Sequence, residues 1–207
     1  MKHFSLFLAC TAACGIYSLE ASAANKKKKE RPNILWVTFE DTSSYEFGCY
    51  GNKDVHTPNA DSLAAQGIQF MNAWSVAPQS SPARSSLITG CYAPTYGMDV
   101  HPVSYDTPAD IFFPQRLREA GYYCTNNSKT HYNSTNNNKA CWDECTKTAS
   151  YNSPKRGKDQ PFFAVFNTVT SHMGRVRTFH TDGRRDYTKE GIYTELLTLP
   201  SYVPDLD

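Results

Sequence analysis

Two apolar runs constrain this chain more than anything else in it. They are Asn33-Ile34-Leu35-Trp36-Val37-Thr38-Phe39 near the start and Pro161-Phe162-Phe163-Ala164-Val165-Phe166-Asn167 far downstream. Neither alternates apolar with polar residues. Continuous runs rich in β-branched and aromatic side chains read as strands buried on both faces, the pattern of a parallel sheet. Helical signals recur between them. Residues 57–67 open on Thr57-Pro58 and close on Gly67, and residues 113–121 close on Gly121. Short strands follow each helix, at residues 68–70 and 122–125. Strands alternating with helices predict an α/β fold with a mainly parallel sheet sandwiched by helices. Residues 126–159 are polar and Asn-rich, and predict loops with little regular structure.

The start of the chain departs from this pattern. Lys2 and His3 precede the apolar residues 4–16, and Ala21-Ser22-Ala23 offers small residues for cleavage. This predicts a secretory signal peptide over residues 1–23, too short to span a bilayer. The chain is therefore expected to be exported, periplasmic or secreted, without stable membrane insertion. Residues 24–31 carry Lys26-Lys27-Lys28-Lys29 and predict a basic, disordered linker. A formal net charge of +1 gives no sign of a nucleic-acid partner. Cys49, Cys91, Cys124, Cys141 and Cys145 remain beyond the leader. Their odd number leaves at least one without a partner in the chain, and the spacing of Cys141 and Cys145 suits a local bridge.

In open α/β sheets, sites gather at the carboxyl ends of strands. Glu40-Asp41 follows the first run, Lys129 and His131 follow the 122–125 strand, and His172 follows the last. Paired acids at the end of a buried strand are costly unless solvated or neutralised, and a divalent cation is the usual neutraliser. Between these ends stands Ser80-Ser81-Pro82-Ala83-Arg84, then Ser85-Ser86-Leu87-Ile88-Thr89-Gly90. Ser80 or Ser81 is expected to cap a helix over about residues 82–87, with Pro82 in its first turn. A nucleophile at that helix start lies beside free N–H groups and the positive dipole end, which suits an anion. Taken singly, each motif also fits a plain role: a capping Ser, solvated loop acids, a surface Lys-x-His, a His at a strand end.

Taken in order, these motifs resemble the sulfatase family. Ser80 to Arg84 is similar to its signature, in which Cys or Ser, any residue, Pro, a small residue and Arg precede a helix ending in Thr-Gly. Lys129-Thr130-His131 resembles the family's Gly-Lys-x-His element, with Ser128 in place of Gly. Glu40-Asp41 stands where many members carry Asp-Asp. Together with Gly48-Cys49-Tyr50-Gly51 it resembles a group of bacterial sulfatases. The family His matching His172 is normally followed closely by Pro, whereas Met173-Gly174 follow here.

The resemblance implies an alkaline-phosphatase-like fold and a sulfuric ester hydrolase acting on a sulfated carbohydrate or other sulfate ester. It implies that a radical maturase oxidises Ser80 to formylglycine (3-oxoalanine), whose hydrate attacks sulfur. It implies calcium held by Glu40, Asp41 and the modified Ser80. Lys129 and His131 would then stabilise charge, Arg84 would return to the nucleophile or bind the metal-site carboxylates, His172 would protonate the leaving oxygen, and His101 would contact substrate. Residues 197–205 resemble a segment these enzymes carry well before their end. Residues 32–207 thus read as the N-terminal part of a sulfatase catalytic domain, with the sheet incomplete at its C-terminal side. Such a chain is expected to bind calcium weakly, to turn over little sulfate ester and to keep an exposed sheet edge. The rivals are a related phosphoester or phosphonate hydrolase and a truncated, non-catalytic chain.

Overall fold

The computed structural model describes residues 31–136 and 138–174. The expected signal peptide, nearly all of the expected basic linker and the 197–205 segment lie outside the described residues. The chain divides into Met1–Pro32 and Asn33–Asp207, and every described element belongs to the second unit.

Among the described residues, four strands build one sheet in which all pairings are parallel. Strand β1 (Ile34–Phe39) lies beside β4 (Phe162–Thr168), β4 beside β2 (Tyr123–Asn127), and β2 beside the short β3 (Glu144–Cys145). The helices are α1 (Pro58–Gln66), α2 (Ser80–Thr89), α3 (Phe113–Glu119) and the single turn α4 (Asn138–Cys141). The α/β architecture with a parallel sheet is therefore the one the sequence predicts.

The last apolar run is flanked by strands on both sides, and Phe163, Ala164 and Val165 are buried. Phe163 stacks against Trp142 at 5.8 Å and meets Trp36 at 6.0 Å, with Phe113 alongside at 5.4 Å. Burying a side chain of this size contributes roughly 2–3 kcal/mol. The first run does not match its expectation of burial on both faces. Ile34, Trp36 and Thr38 are half-buried, whereas Leu35, Val37 and Phe39 are exposed. The reason is positional: β1 is an outermost strand of the described sheet, and only its inner face meets the core.

Three further expectations need correction. Residues 68–70 are not a strand, because they find no ladder partner among the described strands, and Ile68 and Phe70 are left 84% and 68% exposed. Helix α2 starts earlier than expected. Gln79 is its N-cap, Ser80 is its first residue and Pro82 its third. Residues 126–159 are mostly loop, as expected, with only the end of β2 and the short α4 and β3 among the described ones. The two-residue β3 is too short to leave a periodic signal, and Asp143 secures it by accepting from Cys124 N at 2.8 Å. The cysteines among the described residues are all free, including Cys141 and Cys145. Burial pushes the Cys124 and Cys141 thiols up to about 12, so both stay protonated near neutral pH.

The Gly48-to-Gly51 motif has a packing explanation. Asp61 on α1 accepts from Cys49 N at 2.7 Å and from Thr57 Oγ1 at 3.0 Å. A Cβ on Gly48 would stand 2.7 Å from an Asp61 oxygen. Only glycine lets the turn sit this close to the acid that ties it down.

Candidate functional site

The carboxyl ends of β1, β4 and β2 share one rim because the strands are parallel. β1 delivers Glu40 and Asp41 there. Glu40 is buried, its N–H donates to Thr168 O at 3.1 Å, and its carbonyl accepts from Thr42 Oγ1 at 2.8 Å and Ser171 Oγ at 2.6 Å. Those bonds lash the end of β1 to the segment after β4. Asp41 turns outward in the left-handed region, φ 48°, and its Oδ2 accepts from Met173 N at 2.7 Å. His172 is thereby held on the same rim as Asp41. Gly174 N donates to His172 Nδ1 at 3.0 Å, so in the neutral ring the proton sits on Nε2.

Helix α2 brings Ser80 and Arg84 to this rim. Ser80 is half-buried at the helix start, where the first backbone N–H groups lack intrahelical partners. It opens on a cleft of about 420 Å³ whose walls include Glu40, Asp41, Ser75 and Arg84. Arg84 is 8% exposed and uses its whole fork. Nη1 meets Glu40 Oε1 at 3.2 Å, Nε donates to Thr130 O at 2.9 Å, and Nη2 donates to Lys129 O at 2.6 Å and Asn167 Oδ1 at 2.7 Å. An Arg is needed because no other cation offers donors in a planar fork.

The loop after β2 carries Lys129 and His131. Lys129 Nζ pairs with Glu40 Oε2, so a single carboxylate faces two cations and the trio keeps one net positive charge. Ser128, His131 and Asn133 have φ of 59°, 50° and 49°. The Gly expected at Ser128 is thus a conformational requirement that this chain meets with Ser. His131 lies 5.0 Å from His101, ring to ring. Partial burial, then the charges of His101, Lys129 and Arg84, hold its pKa below the usual imidazole value. His101 Nδ1 shares a 2.5 Å hydrogen bond with the buried Ser81 Oγ. Asn133 Nδ2 donates to Met98 O and Val100 O at 3.1 and 3.0 Å, tying the His101 loop to the His131 loop.

The structure therefore gathers Glu40, Asp41, Ser80 and Arg84 at one cleft, with Lys129 paired to Glu40, His172 next to the Met173 N–H that Asp41 accepts, and the His101–His131 pair linked to Ser81. Sequence reasoning missed Ser81, Asn126 and Asn167. The available signal was an amide at the end of each of two apolar strands.

Glu40, Asp41 and Ser80 offer oxygen donors, the kind calcium prefers, although it takes about six to eight of them. Both Glu40 oxygens are engaged by cations. Among the described residues no three His, Cys, Asp or Glu side chains converge to hold a metal ion. The donors fit calcium in kind and fall short in number.

The family model of the sulfatases matches residues 32–193. An ulvan-active sulfatase of Formosa agariphila is 36% identical over 163 residues, covering 72% of this chain and 27% of its own. An N-acetylglucosamine-6-O-sulfatase of Bacteroides thetaiotaomicron is 34% identical over 113 residues, 54% of this chain and 20% of its own. This chain thus spans about a quarter of the length of such relatives. A solved structure in complex with its substrate, D-glucosamine-2-N,6-O-disulfate, superposes with a TM-score of 0.59 at 20% identity, over 75% of this chain and 39% of that one. That likeness concerns the fold. The sequence match runs across β1, the Ser80 helix, the Lys129 loop and β4 alike, and on it the chain belongs to the sulfatase family.

Proposed function

We propose that the chain carries the nucleophile-bearing part of a sulfuric ester hydrolase that is exported and acts on sulfated carbohydrate. The observation that carries this reading is the place of Ser80. It is the first residue of α2 and faces a cleft it shares with Glu40, Asp41 and Arg84. Membership of the sulfatase family supports the reaction class, and two relatives named for ulvan and N-acetylglucosamine-6-O-sulfate support the substrate class. The leader at residues 1–23 supports export.

Ser80 is the precursor of formylglycine. A radical maturase removes two hydrogens from its Cβ–OH, and the hydrated aldehyde supplies a geminal oxygen to attack sulfur. Asp41, Glu40 and the modified Ser80 would be the residues to hold calcium, which would neutralise negative charge there.

The chain's own residues do the rest. Free N–H groups at the start of α2 and the Arg84 and Lys129 cations favour an anion beside Ser80. Their charges are fixed in advance by Glu40, so little reorganisation accompanies the reaction. His131, held neutral beside His101, can donate or accept a hydrogen bond. With Nδ1 accepting from Gly174 N, His172 offers its Nε2–H as a hydrogen-bond donor to a leaving oxygen.

Mass spectrometry of the Ser80 peptide, after co-expression with an anaerobic maturase, tests the reading. A loss of two hydrogens is expected. An unmodified peptide, under conditions that mature a control sulfatase, overturns it. Release of phosphate rather than sulfate from paired ester substrates would point to the phosphoester rival.

A further inference from the structure

Strands β2 and β4 carry asparagines, Asn126 and Asn167, near their carboxyl ends, where the core would take apolar residues. Asn126 is fully buried and Asn167 is 9% exposed. A buried amide left unpaired costs roughly 1–3 kcal/mol, and here every polar atom of the pair is used. Asn167 Oδ1 accepts from Arg84 Nη2 at 2.7 Å and from Thr38 Oγ1 at 2.9 Å. Asn167 Nδ2 donates to Asn126 Oδ1 at 2.9 Å and Asn127 O at 3.2 Å. Asn126 Nδ2 donates to Lys129 O at 3.1 Å, the carbonyl that also receives Arg84 Nη2.

Chemistry alone fixes the direction of these bonds. A guanidinium only donates and a backbone carbonyl only accepts. Turning either amide over would set NH₂ against the guanidinium, or oxygen against a carbonyl. One orientation of both amides satisfies the whole set.

We propose that Asn167 is the positioning residue of this site. It anchors the Arg84 guanidinium directly and, through Asn126, steadies the loop that presents Lys129 and His131. The loop needs an anchor, because left-handed φ at Ser128, His131 and Asn133 costs on the order of 1 kcal/mol each. Its effect on turnover rests on the sulfatase reading, whereas its effect on Arg84 rests on geometry alone.

The test uses the 207-residue chain, labelled with ¹⁵N, as wild type, Asn167→Asp and Asn167→Ala, with Arg84→Lys to assign signals. Asp keeps the acceptor for Arg84 and Thr38 but loses the donor toward Asn126. Wild type and Asn167→Asp should show distinct, slowly rotating Arg84 Nη groups. In Asn167→Ala rotation should quicken by about tenfold, the loss of one such bond. Backbone exchange over residues 128–133 should quicken about tenfold in both variants. Unchanged Arg84 signals in Asn167→Ala overturn the proposal. If Asn167→Ala does not fold, unchanged exchange in Asn167→Asp overturns it instead.

On a sulfate ester, Asn167→Ala should lower kcat on the order of tenfold to a hundredfold with little change in KM, and Asn167→Asp should recover most of it. Equal kcat in wild type and Asn167→Ala counts against the proposal. A wild type that releases little or no sulfate is the outcome expected of this chain alone; the Arg84 spectra then decide the positioning, and the Ser80 peptide decides the sulfatase reading.

Discussion

Glu40 Oε1 stands 3.2 Å from Arg84 Nη1, and these side chains are only 5% and 10% exposed. The other Glu40 oxygen takes Lys129. One carboxylate therefore joins the end of β1, helix α2 and the loop after β2. Removing a partner from such a buried group is far worse than never having built it, because a charge is stranded in a medium that solvates it poorly.

Glu40→Gln should accordingly destabilise the chain by about 3 kcal/mol. Its thermal midpoint should fall by roughly 6–12 °C for a chain of this size. Adding Lys129→Met to Glu40→Gln should return part of the loss. A fall under about 1 kcal/mol in urea titrations would mean that Glu40 is not the counter-ion of this pair of cations.

Ser128 holds φ 59°, a conformation glycine adopts without a Cβ clash. Ser128→Gly should stabilise the chain by about 0.5 kcal/mol, the relieved clash exceeding the extra entropy of the unfolded chain. Calorimetry should record a rise of about 1–2 °C. A fall would show that the Ser side chain is itself an anchor of the loop.

His131 binds its proton more weakly folded than unfolded. Between the usual value of about 6.5 and the lower folded value, the unfolded chain takes up more protons. Stability from this group is therefore complete above about pH 6.5 and lost as pH falls through the folded value. The stability of wild type minus that of His131→Gln should be flat at alkaline pH and drop on acidification. A difference that grows on acidification would contradict the charge environment described.

Cys124 and Cys141 are fully buried with thiols raised to about 12, whereas Cys49, Cys91 and Cys145 are half-buried. Under native conditions at pH 8, iodoacetamide should modify the second group first. Cys124 and Cys141 should lag by about 10³-fold or more, reacting only through opening of the core. Peptide mapping that finds Cys141 joined to Cys145 would replace the free-thiol arrangement with a bridge.

Much of this architecture was legible in the sequence, and the failures have physical causes. β1 and β4 announced themselves because parallel strands bury apolar side chains at successive positions. The outward face of β1 read as buried only because an apolar run does not say which strand stands outermost. Residues 68–70 look like a strand by composition, yet a strand exists only with a ladder partner. Ser80, Arg84 and Lys129 stood out through motif spacing. Asn167 and Asn126 did not, because a lone amide at a strand end has no period and gains meaning only from the Arg84 fork it meets. Thr57 kept its place before α1 but spends its hydroxyl on Asp61 rather than on a helix N–H.

Thr38 and Asn167 are direct partners across β1 and β4, and their side chains bond although 129 residues separate them in the chain. Closing so long a loop is slow, since its entropy must be lost before any contact rewards it. Arg84 and Lys129 are encoded between the two strands, but their shared acceptor arrives only with the later one. The cleft is thus a late product of folding. On a translating ribosome, Ser80 spends the whole synthesis of the intervening chain in an unassembled environment, open to any enzyme that must reach it before the sheet closes.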